Sequence, residues 1–219
     1  MLPVLVIFDC DGVLVDSERL SVELEARLLS ELGWPMTAEE LVLRWMGRTA
    51  AFQREEIADR LGASAAALFE ERSSNEVHAA FETSLQAVPG VIAVLDYLES
   101  RGVKTCVASS GTHERIRLTL GLTNLAHRFE GRIFSAADVA VAKPAPDLFL
   151  HAADSLGVAP SQCAVVEDSV FGVQAGVAAG MTVYGFGGGL IDRTLLEQAG
   201  AIGFDQMTDL VPWPTGSDS

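Results

Sequence analysis

Lysine is almost missing from this chain: Lys104 and Lys143 are the only two, and fifteen basic residues face thirty acidic ones for a formal charge of -15. So acidic a surface repels polyanions, which argues against nucleic acid or an anionic membrane as a partner. Long apolar runs are also lacking, none approaching the roughly 20 residues of a membrane span, and no basic leader precedes the first apolar stretch. Cytoplasm is the expected compartment. Cysteine is scarce, with Cys10, Cys106 and Cys163 set in or beside apolar runs and in no metal-binding spacing. Buried, reduced thiols follow, and a disulfide framework does not. Internal repeats and low-complexity segments are absent as well.

What is present is concentrated first in Val4-Leu5-Val6-Ile7-Phe8-Asp9-Cys10-Asp11-Gly12-Val13, an apolar run that ends in two carboxylates and a glycine. Consecutive, mostly β-branched apolar residues without alternation suit a strand covered on both faces, as in a parallel sheet. Ligands of open parallel sheets bind beyond the carboxyl ends of the strands, where Asp9 and Asp11 would fall. Carboxylates this close repel unless a cation or shared proton intervenes, and Mg²⁺ with its preference for oxygen ligands is the usual remedy. Gly12 permits a sharp turn and offers its N–H to an anion. Ordinary turn and cap residues leaving a strand would read the same way.

Downstream, Ser17 is placed to cap a helix with leucines at 20, 24, 28 and 32, ended by Gly33. Thr37-Ala38-Glu39-Glu40 matches a capping box. Further helical patterns run from about 50 to 61 and from 64 to roughly 85, and nothing between 16 and 86 looks like a strand. This block is too long for a simple crossover, so it is expected to form its own helical cap over 16–86, with 1–15 and 87–219 as an α/β core. From Pro89-Gly90 onward strands and helices alternate, which predicts a doubly wound parallel sheet. Strands are expected at 104–108, 132–134, 163–166, 182–186 and weakly at 201–204, and the tail from Trp213 to Ser219 is expected to fray.

Two more of these strands end in polar groups, one in Ser109, Ser110 and Gly111, the other in Glu167, Asp168 and Ser169, with Lys143 in a loop between them. If the strands are parallel neighbours, one crevice gathers Asp9, Asp11, Glu167 and Asp168 with a hydroxyl and an ammonium. The four motifs in order, Asp9-Cys10-Asp11-Gly12, Ser109, Lys143-Pro144 and Glu167-Asp168-Ser169, resemble those of the haloacid dehalogenase-like hydrolases, in the branch of sugar-phosphate phosphatases and β-phosphoglucomutases.

The resemblance implies a Rossmann-like core with a helical cap inserted after the first strand. It implies Asp9 as nucleophile through an aspartyl phosphate, Asp11 as general acid and then base, and Ser109 and Lys143 as ligands of the phosphoryl group. Mg²⁺ is implied on Asp9, the Asp11 carbonyl and Asp168, with Glu167 beside them. Gly12, Ser110, Gly111 and the cap residue Arg48 are expected near phosphate or substrate, with Arg44 as a further cap candidate. His113 is more simply a surface histidine, and Trp213 has no evident role. Asp11 favours phosphate chemistry over carbon–halogen cleavage, since a halide needs no proton. Mutases of this branch resemble the chain but carry a lysine where Thr112 stands and a histidine near Ser21, so a phosphatase of a small phosphorylated metabolite is expected first. A hexose-phosphate mutase is second and a phospho-accepting receiver a distant third. A monomer is the default.

Overall fold

A computed structural model describes residues 2–214. Its centre is β1, Leu5–Phe8, whose four side chains are all buried. Each such side chain removed from water contributes roughly 1.5–3 kcal/mol, which fixes the strand between two apolar layers. The other strands are β2 (Lys104–Ser109), β3 (Ile133–Ser135), β4 (Cys163–Glu167), β5 (Thr182–Phe186) and β6 (Ile202–Phe204). They form one sheet in the order β3-β2-β1-β4-β5-β6, with every neighbouring pair parallel. The order reverses at β1, so the crevice of a doubly wound fold opens at its carboxyl end. Phe8 is level with Val107 of β2 and Val166 of β4. The residues just beyond these three therefore share one rim.

Between β1 and the rest of the core lie four helices, α1 (Glu18–Glu31), α2 (Ala38–Trp45), α3 (Ala50–Leu61) and α4 (Ala63–Ser84). The expected capping box closes α2: Thr37 accepts from the Glu40 N–H, and Glu40 accepts from the Thr37 N–H. Trp45 is the hub of this layer, edge-on to Trp34 at 5.9 Å and to Phe69 at 6.1 Å, with its Nε1 donating to Glu56 at 2.6 Å. The chain enters and leaves the layer side by side, since Asp16 N–H donates to Gln86 at 2.9 Å and Val15 bridges Ala87.

The core helices are α5 (Val91–Ser100), α6 (His113–Leu122), α7 (Asp147–Ser155), α8 (Val170–Ala178) and α9 (Arg193–Gln198). The short α9 carries too little periodicity to stand out in the sequence. Two local expectations fail. Ser17 sits at the start of α1 but makes no capping bond; its hydroxyl turns instead to Asp11. Trp213 does not fray: it is 4% exposed and packs edge-on against Tyr184 at 4.9 Å, because its aromatic ring buries more apolar area there than it would in a free tail. Residues 215–219 of the expected frayed tail lie outside the described residues. No helix among the described residues is long and apolar enough to cross a membrane.

Candidate active site

Asp9 follows β1 directly, and its N–H continues the ladder to Val166 at 2.9 Å. Its side chain is 10% exposed and its Oδ1 accepts from Lys143 Nζ at 2.5 Å. Lys143 also donates to Glu167 Oε1 at 2.7 Å and to the Ala108 carbonyl at 3.1 Å, above the Phe149 ring at 4.8 Å. All three ammonium hydrogens are thus engaged inside the protein. Burial pushes the Asp9 carboxyl up to about 7 against the pull of Lys143, with Glu167 adding to the rise. Burial by itself would lower Lys143, but the charges of Asp9 and Glu167 outweigh it and hold the ammonium protonated.

Glu167 ends β4. Its Oε2 accepts from Asp168 N–H at 3.0 Å, Ser169 N–H at 2.9 Å and Ser169 Oγ at 2.9 Å, and Oε1 takes Lys143. Asp168 is 2% exposed, and its Oδ2 is buried without a hydrogen-bond partner. Burial raises its carboxyl well above the usual range, and the charges of Glu167 and Asp9 raise it further. Gly12 has φ +80, and a Cβ there would lie 1.8 Å from Asp168 Oδ2. The glycine is required both for the turn and for room beside that oxygen. Its N–H is not open to an anion as expected, because it closes the turn onto the Val15 carbonyl at 2.8 Å.

Asp9, Asp11 and Asp168 line one cavity, and Glu167 is tied to Asp9 through Lys143, which donates to both. Among the described residues no three His, Cys, Asp or Glu side chains cluster to hold a metal ion. The Asp11 side chain turns to Ser17 and Arg115, while both oxygens of Glu167 are engaged by Lys143 and by its own neighbours. Asp9 is left with one side-chain oxygen, and Asp168 with both, that carry no hydrogen bond among the described residues. Hard carboxylate oxygens of this kind, with Asp168 Oδ2 buried and orphaned, suit a divalent cation completed by main-chain oxygen.

Ser109 ends β2, 1% exposed, with its Oγ accepting from Gly111 N–H at 3.1 Å. Ser110 reaches across to the cap, donating to the Gly47 carbonyl at 2.8 Å. The Gly111 carbonyl accepts from Ser135 at 2.6 Å. These residues and Asp9, Asp11, Arg48 and Asp168 line a cavity of about 600 Å³ between core and cap. Arg48 lies over Phe171 at 3.7 Å and Phe52 at 4.5 Å, its Nε buried without a partner. Arg44 is elsewhere: it forms a two-bond pair with Glu56, both at 2.8 Å, inside the cap. His113 pairs with Asp138 at 2.9 Å.

Asp11 Oδ1 accepts from Ser17 Oγ at 2.5 Å and from Arg115 Nη2 at 3.1 Å. Neither partner was legible as a site residue, although an arginine in the first turn after the Ser109 loop of so cation-poor a chain was a usable signal. Glu18 and Glu25 also line the cavity. Burial raises both, Glu18 to about 8 with help from the Asp11 charge.

The profile of the haloacid dehalogenase-like hydrolases matches residues 4–180. A 6-phosphogluconate phosphatase from Escherichia coli is 32% identical over 186 residues, 83% of this chain and 81% of its own. A phosphorylated carbohydrates phosphatase from Thermotoga maritima is 33% identical over 204 residues, 90% and 91% of the two chains. Among solved structures, a haloacid dehalogenase-like protein of unknown function from Agrobacterium tumefaciens superposes with a TM-score of 0.79 at 35% identity, over 95% of this chain and 96% of that one.

Proposed function

The chain belongs to the haloacid dehalogenase-like hydrolases, and from that premise we propose that it is a Mg²⁺-dependent phosphatase of a small phosphorylated sugar or sugar acid, working through an aspartyl phosphate on Asp9. The observation that carries the reading is the Asp9 carboxylate itself. It stands just beyond the end of the central strand, fixed through Oδ1 by Lys143, with its second oxygen free of hydrogen bonds among the described residues and the side chain lining a cavity large enough for a sugar phosphate.

Asp9 attacks phosphorus, forming a carboxylate-oxygen-to-phosphorus bond as the ester oxygen leaves. Asp11 gives that oxygen its proton, releasing the alcohol. Water then attacks the aspartyl phosphate and yields a proton to Asp11. The Asp9–phosphorus bond breaks, which frees inorganic phosphate and restores both carboxyl groups. Lys143 keeps Asp9 oriented and ionised, and Ser109 supplies a donor for a phosphoryl oxygen. Glu167 acts through Lys143, accepting from the same ammonium that holds Asp9. Asp9, Asp168 and the Asp11 carbonyl would hold Mg²⁺, which when bound neutralises repulsion between nucleophile and phosphate.

Residues 16–86 serve as the cap over this chemistry, docked on the core by the Ser110 to Gly47 bond. The substrate class follows from the relatives and from a cavity wall of serines, carboxylates and Arg48. A mutase is less well supported, since Thr112, at the place of the mutase lysine, is engaged in capping α6. A reducing cytoplasm suits the three free, buried cysteines.

Purified protein assayed against phosphorylated sugars, sugar acids and nucleotides, with Mg²⁺ or with EDTA, tests the reading. Phosphate release that needs Mg²⁺ and vanishes in Asp9→Asn is expected. An active, metal-independent Asp9→Asn protein defeats it.

A further inference from the structure

Arg115 stands in the first turn of α6, where the Thr112 hydroxyl accepts its backbone N–H at 3.3 Å. From there its side chain crosses to the cavity and meets three things. Nη2 donates to Asp11 Oδ1 at 3.1 Å. The guanidinium lies 5.1 Å from the ring of Phe81 on α4 of the cap. Glu18 and Glu25 of α1 share the cavity with it. Burial opposes the arginine charge, but Asp11 and then Glu18 outweigh that and hold it.

Asp11 Oδ1 thus has two donors, Arg115 and Ser17, whereas Oδ2 has none among the described residues and Asp11 lines the cavity. A carboxyl group free to turn about its side-chain torsions spends little time with one chosen oxygen facing a substrate. Donors on a single oxygen remove that freedom and leave the other oxygen as the proton carrier. Proton transfer needs that oxygen within about 2.6–3.2 Å of the leaving group. We propose that Arg115 is a positioning residue for Asp11: with Ser17 it clamps Oδ1, so that Oδ2 faces the departing alcohol and then the attacking water. The proposal rests on the phosphatase reading above.

A proton from Asp11 matters greatly when an alkoxide leaves and little when p-nitrophenolate leaves, while the water step needs Asp11 as base in both cases. Arg115→Met, which keeps an apolar stem against Phe81, is therefore expected to lower kcat by about 10²-fold for the best sugar phosphate of the panel, with KM changed less than about 3-fold. On p-nitrophenyl phosphate the pre-steady-state burst keeps its rate within about 3-fold, and a slow steady state with accumulated phosphoenzyme follows. Arg115→Lys restores part of the loss. Ser17→Ala gives the same pattern more weakly, and Phe81→Leu, which cuts only the cap contact, does not give it.

Equal losses in burst rate and sugar-phosphate kcat, an effect confined to KM, or no effect overturn the proposal. Should Arg115→Met fail to fold, Arg115→Lys and Ser17→Ala decide, and absence of the leaving-group dependence in both overturns it. Asp11→Asn separates the two levels. If that variant shows the dependence and Arg115→Met does not, only the clamp is wrong. If Asp11→Asn shows none, the underlying assignment of Asp11 fails.

Discussion

Lys143 Nζ lies 2.5 Å from Asp9 Oδ1, and the lysine side chain is only 1% exposed. In a protein with two lysines, one is buried at the sheet rim between two carboxylates, Asp9 and Glu167. Removing one member of such a buried set costs far more than the set contributes as a whole.

Lys143→Met removes the cation held between the buried carboxylates of Asp9 and Glu167. The expected loss is about 3–5 kcal/mol of folding stability, read as a lower urea midpoint at unchanged slope. A midpoint within error of the parent would show that the cluster is wetter than its geometry implies.

Two glycines are expected to be irreplaceable for steric reasons. In Gly12→Ala the new methyl meets Asp168 Oδ2 at 1.8 Å at a φ of +80, and in Gly172→Ala it meets Glu167 Oε1 at 1.7 Å. Both contacts are inside van der Waals range, so the carboxylates must move. Gly12→Ala is expected to raise the Mg²⁺ concentration for half-maximal activity by about 10-fold or more, since displaced metal-site supports typically cost 10–100-fold. Gly172→Ala should instead lower kcat through Lys143. Metal titration of both variants checks the distinction, and unchanged Mg²⁺ dependence in Gly12→Ala would refute the placement of the ion at Asp168.

Stability without metal should fall as pH rises. Burial lifts Asp9 to about 7 and, with the Asp11 charge, Glu18 to about 8, both above their unfolded values near 4. The folded chain therefore binds more protons than the unfolded one across that interval. Stability from these groups is complete below pH about 4 and is lost as pH climbs toward about 8. Melting temperatures measured from pH 5.5 to 8.5 in EDTA should decline, and Mg²⁺ should flatten the decline by answering the Asp9 charge. A melting temperature that rises across this range in EDTA would contradict the burial of these carboxyls.

The sequence alone determined the sheet, the helical insertion and the identity of the residues at the rim. Buried strands, capping boxes and glycine stops are written in a few adjacent positions, and a strand that runs straight into Asp9 carries it to the sheet's carboxyl edge. Tertiary structure decided how the polar groups pair. Asp11 turned to an arginine 104 residues away, Glu167 to Lys143, the Gly12 N–H to Val15 and Trp213 to Tyr184. Residue spacing constrains where a backbone goes, but a side chain chooses its partner by distance and burial after the chain has closed. The order of motifs could therefore place the carboxylates at one edge without showing which oxygens would remain free.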